Sequence, residues 1–353
     1  AVQLNSDAEL CSYHPLPNGV VDDTLSWSNL TRELRMVDLP LDDVTRFGLH
    51  SRVPNPAYAR ELVRLAEETG LTSIAVGDHL AFALPIDDSI LGLGMIATLS
   101  EKITIATSVY LLPLRHPALV AKQTITLARM APGRFIFGVG VGGEFPGEFA
   151  LAGIPHNERG ARLNEGIEIV RKLWTGEPVA HEGRFYSFPE TQLRPAPEPA
   201  GGPPIWVGGR SKAAIKRAAT LCDGWISYVV TPEQYREGLE GIAREYATSG
   251  RDLPSYGSAH LLFCRLDDTY EAAFDSANAL LSERYAMDFS RATKRYVALG
   301  SPQDIAEKLS EFHKAGVRFF EFDFLGTPEE RVAQTRRFAE EVRPLLDFDW
   351  TQP

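Results

Sequence analysis

The chain has 353 residues, 44% of them hydrophobic and 24% charged, enough to bury one large α/β core or two smaller ones. Its 47 acidic residues outnumber 36 basic ones, and the formal charge of −11 argues against nucleic acid or an anionic membrane as a partner. No stretch approaches the roughly 20 consecutive apolar residues of a membrane helix, and the N-terminus lacks the basic-then-apolar layout of a secretion signal.

Residues 1–44 form a polar, turn-rich N-terminal extension containing His14-Pro15-Leu16-Pro17-Asn18-Gly19. It reads as a surface arm, packed on the body or partly disordered, with an arm reaching the active site or a partner subunit as the alternative. From Thr45 onward one rhythm repeats. Strands are expected at Arg46–His50, Ser73–Gly77, Ile103–Val109, Arg134–Val139, Pro204–Gly208, Gly224–Tyr228, His260–Arg265 and Arg318–Phe324. Helical spacing lies between them: Leu62/Leu65/Ala66, Ala121/Ile125/Ala128, Leu163/Ile167/Val170 with Trp174, Ile305/Leu309/Phe312 and Phe338/Val342/Leu345. Gly70, Gly133, Gly224 and Gly316 suit left-handed turns between a helix and the next strand.

Alternation of this kind means a parallel sheet. Eight units over about 300 residues predict a (β/α)8 TIM barrel across residues 45–348, with a doubly wound open sheet as the alternative. Two stretches break the rhythm: a hairpin with a proline-rich connector at 177–200, and a helical insertion at 267–300 placed where a lid over the barrel mouth would sit. Cys11, Cys222 and Cys264 are far apart and in no CxxC spacing, which disfavours a disulfide framework or zinc and makes a reducing cytoplasm the expectation.

Two strand exits are rich in glycine: Arg134–Glu144 (RFIFGVGVGGE) and Pro203–Ser211 (PPIWVGGRS). The second leads into a helical pattern with Ser211 as a candidate N-cap. Bare amides at such an exit suit a phosphate, because a Cβ would hold the ligand off the backbone. The second strand ends in Asp78-His79, an acceptor beside a group that exchanges protons near neutrality. Glu144 and Glu148 follow the fourth strand, and Glu144, directly after the bare loop, is the better candidate. His50 ends the first strand and could line the same mouth, while His116 before Pro117 reads as a structural loop residue. Trp225 lies within a strand pattern, as core or wall. No spaced His/Cys/Asp/Glu set marks a metal, and no GxSxG elbow is present.

Taken in order, these motifs resemble the bacterial-luciferase-like flavin and deazaflavin oxidoreductases. The resemblance runs from about Phe47 to Glu341 on Val76-Gly77-Asp78-His79, Thr107-Ser108-Val109, Leu112–Pro117, Pro132–Gly143, Glu158-Arg159 with Arg162, Gly183–Phe188, Pro204–Gly209 and Asp223-Gly224-Trp225. It implies a tricyclic ring bound at the barrel mouth against a non-prolyl cis peptide at Ser108–Val109. It also implies cofactor contacts from Asp78, Thr107, Gly140, Gly142 and Gly143, a phosphate site at Gly208, Gly209, Arg210 and Ser211, and a substrate pocket reached by His50 and Trp225. The Asp78-His79 pair resembles the branch that uses the deazaflavin coenzyme F420, in which the residue matching His79 handles a proton; here Asp78 would orient it and Glu144 assist. The expectation is hydride transfer between F420 and a neutral, fairly apolar organic substrate. The alternatives are a two-component FMN-dependent monooxygenase supplied by a flavin reductase, and a non-catalytic flavin-binding protein. The loop Gly142-Gly143-Glu144 is one residue longer than in the sugar-phosphate dehydrogenases of that branch, and their phosphate-binding basic residues lack clear counterparts. A homodimer is implied by resemblance alone.

Overall fold

The structure is a computed structural model that describes residues 39–351, apart from Ala83 and Ala286. Residues 1–38 of the expected extension, Cys11 among them, lie outside the described residues. Leu39 and Leu41 already pack on the body: Leu41 bridges to Tyr256, and the Pro40 carbonyl accepts from Tyr256 N.

Eleven strands are described. They are β1 (Arg46–His50), β2 (Ser73–Val76), β3 (Thr104–Thr107), β4 (Phe135–Val139), β5 (Pro178–Glu182), β6 (Ser187–Gln192), β7 (Ile205–Gly208), β8 (Gly224–Tyr228), β9 (Gly257–Leu266), β10 (Ala298–Gly300) and β11 (Phe319–Phe324). Eight of them pair in the parallel order β9-β11-β1-β2-β3-β4-β7-β8, and a β8–β9 ladder closes the ring. The chain is therefore a (β/α)8 barrel, not an open sheet. β5 and β6 make the expected hairpin. The insertion contains helices Tyr270–Tyr285 and Ser290–Tyr296, and also a strand the sequence did not announce: β10 pairs alongside the far end of β9.

Alternation along the strands sorts the side chains. On β11, Phe320, Phe322 and Phe324 face the helices, where Phe322 and Phe324 pack on Phe338. Phe319 faces inward against Trp206, in an inner cluster with Ala75, Ala106, Ile136, Ile226 and Ala259. Glu321 and Asp323 share its face. Helices following three strands open on Thr231, Ser301 and Thr327, each completing a capping box with Pro at the first helical position.

Two local expectations need correction. Gly70, Gly133 and Gly316 have positive φ, but Gly224 does not; it opens β8, where a Cβ would lie 2.5 Å from the Trp206 ring. The chain after helix Pro328–Arg337 widens into a π-turn over Phe338–Val342, which shifts the side-chain phase. Phe338 and Val342 remain buried, whereas Leu345 turns 45% exposed.

Candidate active site

The C-terminal ends of the strands gather one set of residues at the barrel mouth, the face where this architecture carries chemistry. His79 follows β2. Its Nδ1 lies 3.1–3.2 Å from both carboxylate oxygens of Glu148, on the short helix Pro146–Leu151. Glu148 is buried, and its Oε1 also accepts from Leu80 N at 2.6 Å and Ala81 N at 3.0 Å. Among the described residues no hydrogen bond reaches His79 Nε2. The ring stacks on Phe82 at 4.3 Å between centroids and meets Phe145 edge-on at 5.7 Å.

Asp78 does not orient His79. Its carboxylate grips Arg115 through Oδ1 (2.9 Å) and Oδ2 (2.5 Å), and Oδ2 also accepts from Leu111 N at 2.9 Å. Buried charges persist when paired in this bidentate way, so Asp78 ties the end of β2 to the segment after β3. The Arg115 guanidinium also lies 4.4 Å over the Tyr110 ring. Glu144 stands away from His79 as well: it is exposed and accepts a hydrogen bond from the Tyr228 hydroxyl. The carboxylate that serves the imidazole is Glu148, because the fourth-strand loop turns Glu144 outward before the helix brings Glu148 back in.

The Ser108–Val109 peptide is cis. The glycines around it explain themselves by Val109. A Cβ at Gly140 would lie 2.4 Å from Val109 Cγ2, and one at Gly208 would lie 3.0 Å from Cγ1. These two glycines therefore make room for the third-strand tip, where the expectations were a cofactor contact at Gly140 and a phosphate at Gly208. The amide of Gly140 is engaged by the Tyr110 carbonyl at 2.9 Å and that of Gly209 by the Ile226 carbonyl at 3.4 Å. Gly142 and Gly143 both have positive φ, and the Gly143 carbonyl lies 3.1 Å from His156 Nε2. Thr107 is fully buried with its hydroxyl on the Gly138 carbonyl (2.7 Å), so its side chain is not a cofactor contact.

At the second glycine exit, Ser211 caps helix Lys212–Leu221, its Oγ accepting from Ala214 N at 3.2 Å. The amides of Arg210 and Ser211 carry no hydrogen bond among the described residues. Arg210 donates to the Val229 carbonyl at 3.0 Å, and Val229 itself has φ 53°, unusual for a β-branched residue. Trp225 belongs to the outer wall, not the substrate pocket: its ring packs on Tyr235 at 4.8 Å, and its N–H donates to the Gly209 carbonyl at 2.6 Å. His116 caps the helix that begins at Pro117. His50 does lie at the mouth floor, where a Cβ on Gly77 would stand 3.3 Å from its Nε2. Burial holds its pKa below the usual imidazole value.

A flat ring system fits these residues: Gly77 leaves the floor open above the unpartnered His50 Nε2, and His79 with Phe82 and Phe145 forms an aromatic side. Free amides at a helix N-terminus beside Arg210 suit its anionic tail. A family model described as luciferase-like monooxygenase matches residues 43–340. The chain belongs to that family. The luciferase-like chain is 28% identical over 332 residues to an F420-dependent glucose-6-phosphate dehydrogenase of Nakamurella multipartita, covering 85% of this chain and 96% of that protein. The coenzyme F420 dependent tetrahydromethanopterin reductase of Methanopyrus kandleri superposes with a TM-score of 0.71 at 19% identity, over 86% of this chain and 100% of that one. The oxygenating constituent of 3,6-diketocamphane monooxygenase from Pseudomonas putida, in complex with FMN, gives 0.71 at 18% identity, over 87% and 100%. The two structural likenesses are likenesses of fold. Among the described residues no helix is long and apolar enough to cross a membrane, and no acidic, His and Cys cluster could hold a metal ion.

Sequence reading singled out His79 but missed what surrounds it. Phe82 and Phe145 carried no motif of their own, Arg115 stood within Leu112–Pro117 without a role of its own, and Tyr228 was read only as the end of a strand.

Proposed function

We propose that this protein is an oxidoreductase that transfers hydride between coenzyme F420 and a neutral, fairly apolar organic substrate. The names of its relatives support the cofactor, and one observation carries the chemistry: Glu148 holds Nδ1 of His79. A carboxylate on one ring nitrogen fixes the tautomer and orientation, so Nε2 is the atom that gives or takes the proton accompanying hydride transfer. When bound, the deazaflavin supplies the hydride chemistry itself. Val109 and Gly77 provide the surface against the ring, and Arg210 with the free amides at Ser211 receives the phosphate. Phe82 and Phe145 favour an apolar substrate beside His79, since Arg115, the nearby basic group in sequence, is already taken by Asp78. That preference departs from the sugar phosphate named for the relative.

A second reading is an FMN-dependent monooxygenase working with a flavin reductase; the FMN-bound neighbour of like fold favours it. Titrating the apo-protein with F420 and with FMN, followed by absorbance, separates the two. Tight binding of F420 is expected, and tight binding of FMN alone would replace the first reading with the second. His79→Ala should then lower turnover well beyond any change in cofactor affinity; an unchanged rate removes His79 from the mechanism. A cytoplasmic setting agrees with Cys222 and Cys264, both buried free thiols, the former pushed up to about 12 by burial. Assembly as a homodimer is the remaining part of this reading.

A further inference from the structure

Three polar side chains on adjacent strands of the barrel have no partner. Ser73 Oγ on β2, both carboxylate oxygens of Glu321 on β11, and His50 Nε2 at the end of β1 are buried without a hydrogen bond. Ser73 and Glu321 are wholly inaccessible. Register explains how Ser73 and Glu321 come to flank one position of β1. Gly48 of β1 pairs with Ser73 on one side and with Glu321 on the other. Neighbouring strands lie about 4.8 Å apart, so the two polar side chains flank a position that has none. The gap is tight: a Cβ on Gly48 would fall 1.8 Å from Ser73 Oγ. Further along the same strand, toward the mouth, stands His50, with Gly77 and the Ser108 carbonyl beside it.

Native interiors satisfy such groups with ordered water, because an unpaired buried polar group is costly. We propose that the barrel core over Gly48 holds a cluster of ordered water bonded to Ser73, Glu321 and His50, and that Glu321 stands in it as a carboxyl that gives its proton up to this water. On titration the O–H bond of the Glu321 carboxyl breaks and the proton passes to a water of the cluster, leaving a carboxylate. No oxidant or further reactant is involved. The groups facing this cluster are few. Asp323, two residues along on the same face of β11, is ion-paired with Arg284 and Arg331. Burial alone would raise Asp323, but the two guanidinium groups bring it down to about 2. Glu321 has no guanidinium beside it, and burial pushes it up to about 7; the Ser108 hydroxyl is near enough to act the other way but makes no hydrogen bond to it. Two acids of one strand face thus divide: one is a fixed anion, the other carries a proton near neutrality. At His50, burial acts downward first, Asp323 upward, Arg331 downward, the Ser108 backbone upward and Arg284 downward. This device is independent of which cofactor occupies the mouth.

The full-length protein without cofactor tests the proposal. A crystal structure at atomic resolution should show water peaks bridging Ser73 Oγ, the Glu321 carboxyl and His50 Nε2. Infrared spectra should show a protonated-carboxyl band at about pH 6 that fades through a midpoint near about 7 and is missing in Glu321→Gln. If that variant fails to fold, Ser73→Ala keeps the carboxyl and removes one partner of the water; it should shift the frequency of the same band. A dry gap, a metal ion seated on Glu321, no protonated band in the wild type at about pH 6, or a band untouched by both substitutions would overturn it.

Discussion

The Glu148 carboxylate serves three donors at once, the His79 ring and the amides of Leu80 and Ala81, and through them it sets where the imidazole stands. Glu148→Gln keeps the shape but turns one acceptor into a donor facing donors. We expect turnover to fall by about 10–100-fold while cofactor affinity changes by less than about threefold, the pattern of a group that positions the proton-transfer residue. The pH–rate profile should shift as well, which a merely structural loss would not produce. Glu144→Gln is the control: exposed and bonded to Tyr228, it should change the rate by only a few-fold. If the two variants exchange places, the assignment of Glu148 fails. The contrast also marks a limit of reading residues in sequence. Asp78-His79 stood out because it ends a strand, but Glu148 is 69 residues from His79, and only the turn before its helix decides which of two nearby acids points inward. Asp78 misled for a related reason: adjacency in sequence said nothing of Arg115, 37 residues away, which takes both of its oxygens.

At the scale of the element, the tip of β3 and the exits of β4 and β7 behave as one packed unit. Val109 fills the space that glycines at 140 and 208 leave open, and this gives the glycine pattern a cause inside the protein. The pattern was legible in the sequence; its cause was not, because glycine marks a close approach without naming what approaches. The two positions differ in tolerance. Gly140→Ala puts a methyl 2.4 Å from Val109 Cγ2, too close for any contact, so the tip must move. Gly208→Ala puts one at 3.0 Å, which a shift of a few tenths of an ångström relieves. Overpacking of this kind costs about 1–3 kcal/mol, and we place Gly140→Ala at the upper end and Gly208→Ala at the lower. Chemical denaturation of both variants measures the order, and the reverse order would show that the tip is not packed against β4. If Val109 also forms the surface under the ring, Gly140→Ala should weaken cofactor binding more than Gly208→Ala does.

For the molecule as a whole, the strand rhythm carried the architecture: all eight expected barrel strands are present, most with an end displaced by one or two residues. What stayed hidden had no period to read. Helix Ser89–Ala97 (SILGLGMIA) is apolar nearly all round and holds two glycines, so no face stands out, and β10 is three residues long. The first of these matters for assembly. In a βα barrel neighbouring helices run parallel, so the first turns of Ser89–Ala97 and Pro117–Met130 lie at the same end of the molecule. Each presents a leucine to solvent there: Leu91 is 72% exposed and Leu119 is 67% exposed. Large aliphatic side chains this open, on adjacent helices of a chain carrying a charge of −11, fit an interface that excludes water between two like-charged copies. We therefore expect the proposed homodimer to form across these helices. Leu91→Glu with Leu119→Glu should convert it to a monomer in light scattering coupled to gel filtration. Because both side chains are exposed within one copy, the thermal midpoint of that monomer should fall only by what dimerisation contributed, and F420 binding at the mouth should persist. A double variant that remains dimeric would move the interface to another face of the barrel, and a wild type that is monomeric throughout would remove it.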